Sequence, residues 1–153
     1  MPRDIGRKVK VRLFHRDFKT QGSELLWAEV VGPNEFKLEN GPWLIDGYSY
    51  EDVVSGVYES TRNYDGERNV PVYRCTGIVR KGPFRTLRAV FETSFPSPKY
   101  APLRAALKAM DVDYENMDDK LVSVWFTKDV DAHKVAHMLH DAGAHVQLAD
   151  VPD

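Results

Sequence analysis

The sequence is poor in the features that most directly assign a protein to a class. It contains one cysteine, Cys75, so an intrachain disulfide and a cysteine-rich zinc site are both excluded. A reducing compartment fits such a chain best, and we expect a cytoplasmic protein. Its apolar runs all fall short of the roughly 18 residues that a membrane span needs. The charged start, residues 1–14, lacks the apolar core of a signal peptide, so we predict no membrane association.

The sequence also has no large excess of positive or of negative charge. The chain has 21 Lys and Arg residues against 23 Asp and Glu residues, which gives a net charge of −2. A chain so close to neutrality has no general attraction for nucleic acid or for an anionic membrane. What is present is an ordinary globular composition, 42% apolar and 29% charged, in 153 residues that suffice for one domain or two small subdomains.

The first half of the chain carries short strand patterns separated by turn residues. Residues 8–14 alternate between apolar and basic side chains, as in a half-buried strand. The sequence Asn-Tyr-Asp-Gly at residues 63–66 predicts a hairpin turn. The other predicted strands cover residues 25–31, 35–39, 53–58 and 70–80. Strands this short and this closely spaced predict that residues 1–81 form a β-rich subdomain, either a small curled sheet or a partial barrel.

In the second half, strand patterns alternate with helical ones. Pro98 and Pro102 mark the opening of one helix, which runs to Met110 with apolar residues on one face. A second helix ends near Ala142, with Asp129 or Asp131 as its N-cap and Gly143 at C′. The predicted strands cover residues 84–92, 112–116, 121–127 and 145–148.

The order of these elements, β-α-β-β-α-β, is that of a ferredoxin-like fold. We therefore predict a ferredoxin-like subdomain over residues 82–153. The chain as a whole is predicted to be α+β, with its β-rich N-terminal half packed on this C-terminal half.

The most distinctive sequence motifs lie between Glu24 and Gly56. They comprise Leu26-Trp27-Ala28-Glu29, residues 35–40, Pro42-Trp43 and residues 48–54. This stretch resembles an uncharacterised bacterial group, domain-of-unknown-function family forty-two sixty-five, whose members typically carry Trp-Ala-Glu, Leu-x-Asn-x-Pro-aromatic and Gly-Asp-Val-Val at similar intervals. Here Glu51 stands where that last motif has its glycine. The resemblance implies a small bacterial cytoplasmic protein and supplies no activity.

Two surfaces are predicted to contact a protein partner. One is the aromatic bend, residues 43–50, through Trp43, Tyr48 and Tyr50. The other is the acidic hairpin, residues 111–119, whose carboxylates would attract a basic partner. Its predicted contact residues are Asp111, Asp113, Glu115, Asp118 and Asp119. We therefore predict a non-enzymatic protein that recognises a macromolecule, such as an immunity or regulatory protein, with no cofactor and with its oligomeric state left open.

The alternatives are a small hydrolase and an RNA-binding module. A hydrolase would use metal or a carboxylate pair drawn from Glu29, Glu51 and Asp52, or Cys75 with a histidine. An RNA-binding module would use the basic residues around Phe84, although the aromatic signature of such sheets is missing and a charged strand edge explains them as well. These basic residues are Arg74, Arg80, Lys81, Arg85 and Arg88.

A metal site is conceivable on the second helix, where His133, His137 and His140 fall within an arc of about 60°. Two histidines at i, i+4 can hold Zn²⁺. However, Lys134 follows His133 where the glutamate of a His-Glu-x-x-His site would stand. A solvated face that happens to be rich in histidine is the competing interpretation, and we do not predict a metal.

Overall fold

The structure is a computed structural model in which residues 5–14, 22–64 and 68–151 are described, without the side chains of residues 63, 64 and 68. Part of the predicted turn at residues 63–66 lies outside the described residues. The flanking strands nevertheless pair as a hairpin does, with Asn63 opposite Asn69. Neither helix of the described chain is long and apolar enough to cross a membrane.

The described part of the first half forms a closed barrel. Each strand pairs antiparallel with the next one along the chain, and the first strand then pairs with the fifth in parallel. The sheet therefore curls further than the predicted partial barrel. Register shifts in the pairing of the two longest strands bend them, which is how a sheet turns far enough to close. The strands are β1 (Lys8–Phe14), β2 (Ser23–Gly32), β3 (Glu35–Leu38), β4 (Val53–Tyr64) and β5 (Arg68–Arg80).

Alternation along the barrel strands decides which side chains face inward. In β1 the apolar residues Val9, Val11 and Leu13 are buried, and the intervening basic residues face outward. In β2 Leu26 and Ala28 are buried in the same way, so Trp27 between them lies on the outer surface. The barrel core is thus dictated by the period of the sequence.

The second half forms an antiparallel sheet with strand order β7-β8-β6-β9. Its helices pack their apolar sides on one face, where Leu107, Val135 and Leu139 join the core of strand residues. The predicted order of strands and helices is confirmed, and the chain is β-rich and broadly α+β. The elements are β6 (Phe84–Val90), a 3₁₀ turn (Pro98–Tyr100), α1 (Ala101–Ala109), β7 (Asp113–Asn116), β8 (Leu121–Thr127), α2 (Ala132–Asp141) and β9 (His145–Asp150).

The ends of α2 show how local sequence sets its length. Asp131, one of the two predicted caps, accepts hydrogen bonds from the backbone N–H groups of His133 and Lys134. Gly143 follows the helix with a φ of 96°, a conformation that glycine adopts without strain. The cap and the glycine confirm the predicted start and end of this helix to within a residue.

Candidate functional site

The segment between β3 and β4, residues 39–52, leaves the barrel and packs against the second sheet. A Cβ atom at Gly41 would lie 2.6 Å from Ser123 Oγ and 2.9 Å from a ring atom of Trp125, so glycine permits the close approach. Trp43 Nε1 donates a hydrogen bond to the Glu115 backbone oxygen at 3.0 Å. These contacts join the start of the aromatic bend to β7 and β8.

A buried carboxylate fixes the conformation of the same segment. Glu24, near the start of β2, accepts hydrogen bonds from three consecutive backbone N–H groups. The donors are Trp43 at 2.8 Å, Leu44 at 3.0 Å and Ile45 at 3.2 Å. Since unpaired buried N–H groups are costly, this carboxylate holds the bend in one shape.

A cleft of about 310 Å³ lies where this segment leaves the barrel, lined by Lys8, Trp27, Glu39 and Asn40. We call it the Trp27 cleft. Lys10 stands opposite Trp27 in the β1–β2 register, and its Nζ lies 4.1 Å from the centre of the indole ring. Asn40 accepts a hydrogen bond from the Trp27 backbone N–H at 2.9 Å. Strand register and a side-chain cap therefore position the ring and its cation.

Two carboxyl groups flank the Trp27 cleft in different environments. Lys8 donates a hydrogen bond to Glu39 Oε2 at 2.7 Å, an interaction that raises the pKa of Lys8. Glu39 Oε1 is buried and has no hydrogen-bond partner among the described residues. Burial raises the pKa of Glu115, although a hydrogen bond from Asn40 and the charge of Lys10 oppose the shift. Within the described structure, the cleft therefore keeps one buried carboxylate oxygen, Glu39 Oε1, without a donor.

Tyr50 lies close enough to the same cleft for the charge of Glu39 to act on it. Its ring stacks on Trp125, with 5.4 Å between centroids, and meets Phe84 edge-on at 5.2 Å. Burial raises the pKa of Tyr50, and the negative charges of Glu51, Glu39 and Asp113 raise it further. The surroundings of the cleft are thus acidic on the side of the second sheet.

A second polar cluster, buried deeper, connects the two halves. Asp52 is fully buried and accepts hydrogen bonds from the backbone N–H groups of Ser49 and Gly82, each at 2.8 Å, and from Lys81 Nζ at 2.5 Å. Lys81 also forms an ion pair with Asp150. The Ser49 hydroxyl donates to Asp150 Oδ2 at 2.5 Å. These groups all satisfy one another, so the cluster has the character of a structural link.

The predicted partner-binding residues fall into two groups. In the aromatic bend Tyr48 is buried, while Trp43 and Tyr50 are half-buried. In the acidic hairpin Glu115 lies at the edge of the Trp27 cleft, next to Asn40. Hydrogen bonds from the backbone of Leu121 and Lys120 hold the pKa of Asp118 below its usual range. The exposed members are Asp111, Asp113, Asp118 and Asp119.

The other predicted candidates are spread over separate environments. Of the basic residues, Lys81 is partly exposed and is paired with Asp52 and Asp150, and Arg88 is buried, with its Nη1 3.0 Å from Asp46 Oδ1. Glu29 contacts Lys8 and Lys37, on the barrel surface, while Asp52 contacts Lys81. Burial raises the pKa of the Cys75 thiol, which lies 3.8 Å from the Tyr48 hydroxyl. The basic residues do not form one free basic surface.

The histidines of α2 are exposed, as predicted, at positions 133, 137 and 140. His137 Nε2 lies 3.3 Å from Asp141 Oδ2 within the same helix. Within the described ranges, no group of three His, Cys, Asp or Glu side chains is arranged to hold a metal ion. These histidines therefore have the geometry of a solvated helix face.

Sequence reasoning missed four residues of the Trp27 cleft region: Lys8, Lys10, Glu39 and Asn40. The alternation of β1 and β2 already placed Lys10 and Trp27 on the outer side, but their cross-strand register was needed to bring them together. Asn40 lies within the motif that carries the family resemblance, and the motif alone gives its side chain no role.

Comparisons with known proteins bear on the fold and the family. No curated protein matches the chain. A solved structure described as a hypothetical protein from Neisseria gonorrhoeae is similar, with a TM-score of 0.68, 15% sequence identity and coverage of 95% of each chain. At that identity the likeness concerns the fold alone. The model of a domain of unknown function, DUF4265, matches residues 24–149, which include the aromatic bend and three of the four residues that line the Trp27 cleft, all except Lys8. The chain therefore belongs to the DUF4265 family.

Proposed function

We propose that this protein is a non-enzymatic binding protein that recognises a protein partner through the Trp27 cleft and the acidic hairpin beside it. The observation that carries the proposal is Glu39 Oε1, a buried acceptor with no donor among the described residues, at the edge of a half-buried indole ring. A buried acceptor left unpaired is costly in the free protein, and a partner's donor would remove that cost. Aromatic rings flanked by desolvated polar groups are common centres of binding energy.

The surroundings of the cleft favour a basic partner. The exposed Asp113 and the half-buried Glu115 belong to β7, and the negative charge of Asp113 reaches Tyr50. A field of one sign steers an oppositely charged partner and disfavours nucleic acid. In the cell, recognition of a protein partner would serve an immunity or regulatory role. We also propose that the C-terminal half is ferredoxin-like, which the order β7-β8-β6-β9 and its helix placement support.

The familiar nucleophiles lie away from the Trp27 cleft. The Ser49 side chain is fully buried and donates a hydrogen bond to Asp150. The Cys75 thiol has a raised pKa, so little of it is the reactive thiolate near neutral pH. Binding is therefore the simplest use of the cleft.

The test is affinity capture from a lysate of the source organism with the wild type, Trp27→Leu and Asp141→Asn. Asp141 is an exposed carboxylate on α2 and serves as the matched control. We expect one or more proteins to be retained by the wild type and by the control, and to be lost with Trp27→Leu while its melting temperature is unchanged. Equal retention by all three proteins would overturn the proposal.

A second function is favoured by one specific observation, the pair of carboxyl groups at the cleft. Burial raises the pKa of Glu115, which could therefore donate a proton, while Glu39 accepts a hydrogen bond from Lys8. This is the arrangement of a carboxylate-based hydrolase. Under this alternative, hydrolysis of a glycoside or ester library would be abolished by either Glu115→Gln or Glu39→Gln. A turnover that survives both substitutions would belong to a contaminant.

A further inference from the structure

We propose that the Trp27 cleft binds the guanidinium group of an arginine side chain on the partner, and that Lys10 occupies this cation-binding site in the free protein. The inference rests on the proposed function and specifies the chemistry that the cleft recognises. It follows from the position of Lys10, from the unpaired acceptor of Glu39 and from the charges around the ring.

The first step is the cation that already lies on the ring. Lys10 Nζ is 4.1 Å from the indole centre, well within the range of a cation–π interaction, and tryptophan offers the best ring face for it. Both residues sit on strands at directly opposed positions, so the pairing is built into the barrel surface. The ring face is therefore shaped and polarised to hold a positive group.

The second step is the donor that the site still lacks. Glu39 Oε1 remains buried without a partner in the described structure, although Lys8 binds the other oxygen of the same carboxylate. Glu115, at the edge of the cleft, keeps a raised pKa despite the charge of Lys10. A guanidinium group presents five N–H donors in one plane and can stack on a ring while its edge bonds to carboxylates. It would supply the donors that a single ammonium group does not.

The third step is the sign of the surrounding charge. After burial, Glu51, Glu39 and Asp113 raise the pKa of Tyr50 and Lys8 lowers it, so three negative charges act against one positive charge on the side of the cleft next to the second sheet. Lys8 is itself balanced by Glu39 and by Glu29, which lies 3.7 Å away. An anionic ligand would meet this negative charge, whereas a cationic ligand would relieve it.

The proposal makes Lys10 a competitor of the ligand. Removing its ammonium group should strengthen binding of an external cation, while removing a cation elsewhere on the barrel should not. Lys37 is the matched control, because it also lies on the outer barrel surface but its Nζ contacts Glu29 at 3.9 Å, whereas the Nζ of Lys10 lies on the indole ring. Methionine replaces either lysine with an uncharged chain of similar length.

The experiment titrates N-acetylarginine methylamide into ¹⁵N-labelled protein and follows the Trp27 indole N–H signal, assigned with Trp27→Phe. N-acetylcitrulline methylamide is the uncharged isostere. We expect a saturable shift with the arginine probe and none with the citrulline probe. Lys10→Met should tighten binding about 2- to 5-fold, Glu39→Gln should weaken it about tenfold, and Lys37→Met should leave it unchanged.

Each other outcome decides against one of the two proposals. Equal shifts with both probes, or binding that Lys10→Met weakens or leaves unchanged, would overturn the cation-binding inference. If Trp27→Leu abolishes partner capture while the arginine probe does not bind, the proposed function stands and this inference falls. If capture is insensitive to Trp27, the proposed function falls. Melting temperatures of all variants separate lost binding from lost folding, and Trp27→Phe provides a variant that keeps an aromatic ring.

Discussion

Replacement of Asp52 should destabilise the protein strongly. Its side chain is fully buried and accepts three hydrogen bonds, two from backbone N–H groups and one from Lys81. In Asp52→Ala both backbone donors, on Ser49 and Gly82, lose their partner. Each buried donor left unpaired costs about 1–3 kcal/mol. Lys81 adds little because it is partly exposed and keeps its ion pair with Asp150.

The sum over the two donors is a loss of about 2–6 kcal/mol in the free energy of unfolding. That is a large part of the roughly 5–15 kcal/mol that a domain usually has. Asp52→Asn should lose less, about 2–3 kcal/mol, because the amide oxygen can still accept one of the two N–H groups. Urea unfolding followed by circular dichroism measures both values, and exposed Asp141→Asn is the control, with an expected change below about 0.5 kcal/mol. A loss under about 1 kcal/mol for Asp52→Ala would refute the reasoning, since both donors would then have other partners.

The remaining predictions concern three other positions. Glu51 has a φ of 66°, so Glu51→Gly should raise the free energy of unfolding by up to about 1 kcal/mol. The relief of backbone strain should exceed the entropy that glycine adds to the unfolded chain, and urea unfolding measures the difference. Burial disfavours the charged form of Glu115 and raises its folded-state pKa above the usual 4.5. The contribution of Glu115 to the free energy of unfolding is therefore fully present at low pH, where the side chain is protonated, and is lost as pH rises through the folded-state pKa. Glu115→Gln should therefore be more stable than the wild type at neutral pH and equal to it at about pH 4, as thermal melts at both pH values would show; a difference of the same size at both would contradict this. Burial also raises the pKa of Cys75 above 9.0, so its alkylation by iodoacetamide at about pH 8 should be slower than that of a cysteine peptide and should match it once urea unfolds the chain.

The sequence predicted local structure well because its signals are local. The alternation in residues 8–14, the Asp131 cap and the Gly143 stop each act within a few residues, and β1 and α2 lie where these signals placed them. The strand predicted over residues 53–58 runs further, to Tyr64. The closure of the barrel was not predictable in this way. It depends on parallel pairing of β1 with β5, in which Lys10 lies opposite Val72, and no short-range pattern encodes a partner so distant along the chain.

The candidate site shows the same limit. Trp27 and Asn40 were noted as parts of a motif, yet the cleft also needs Lys8 and Lys10 from β1 and Glu115 from β7. These residues meet only after two separate sheets have formed and packed together. Sequence reasoning can identify that a side chain faces outward, but which outward residues share a concavity is a property of the tertiary arrangement.

The parallel pairing of β1 with β5 has a consequence for how the protein is made. During synthesis β1 emerges first, and its second neighbour is complete only when residue 80 has left the ribosome. Such long-range contacts slow folding, because the entropy of closing a large loop is lost before the contacts between its ends stabilise the structure. Until then one side of β1 offers unbonded backbone groups to any passing strand. The basic residues Lys8, Lys10 and Arg12 that alternate along β1 would discourage such pairing, so charges that later serve the finished surface also protect the nascent chain.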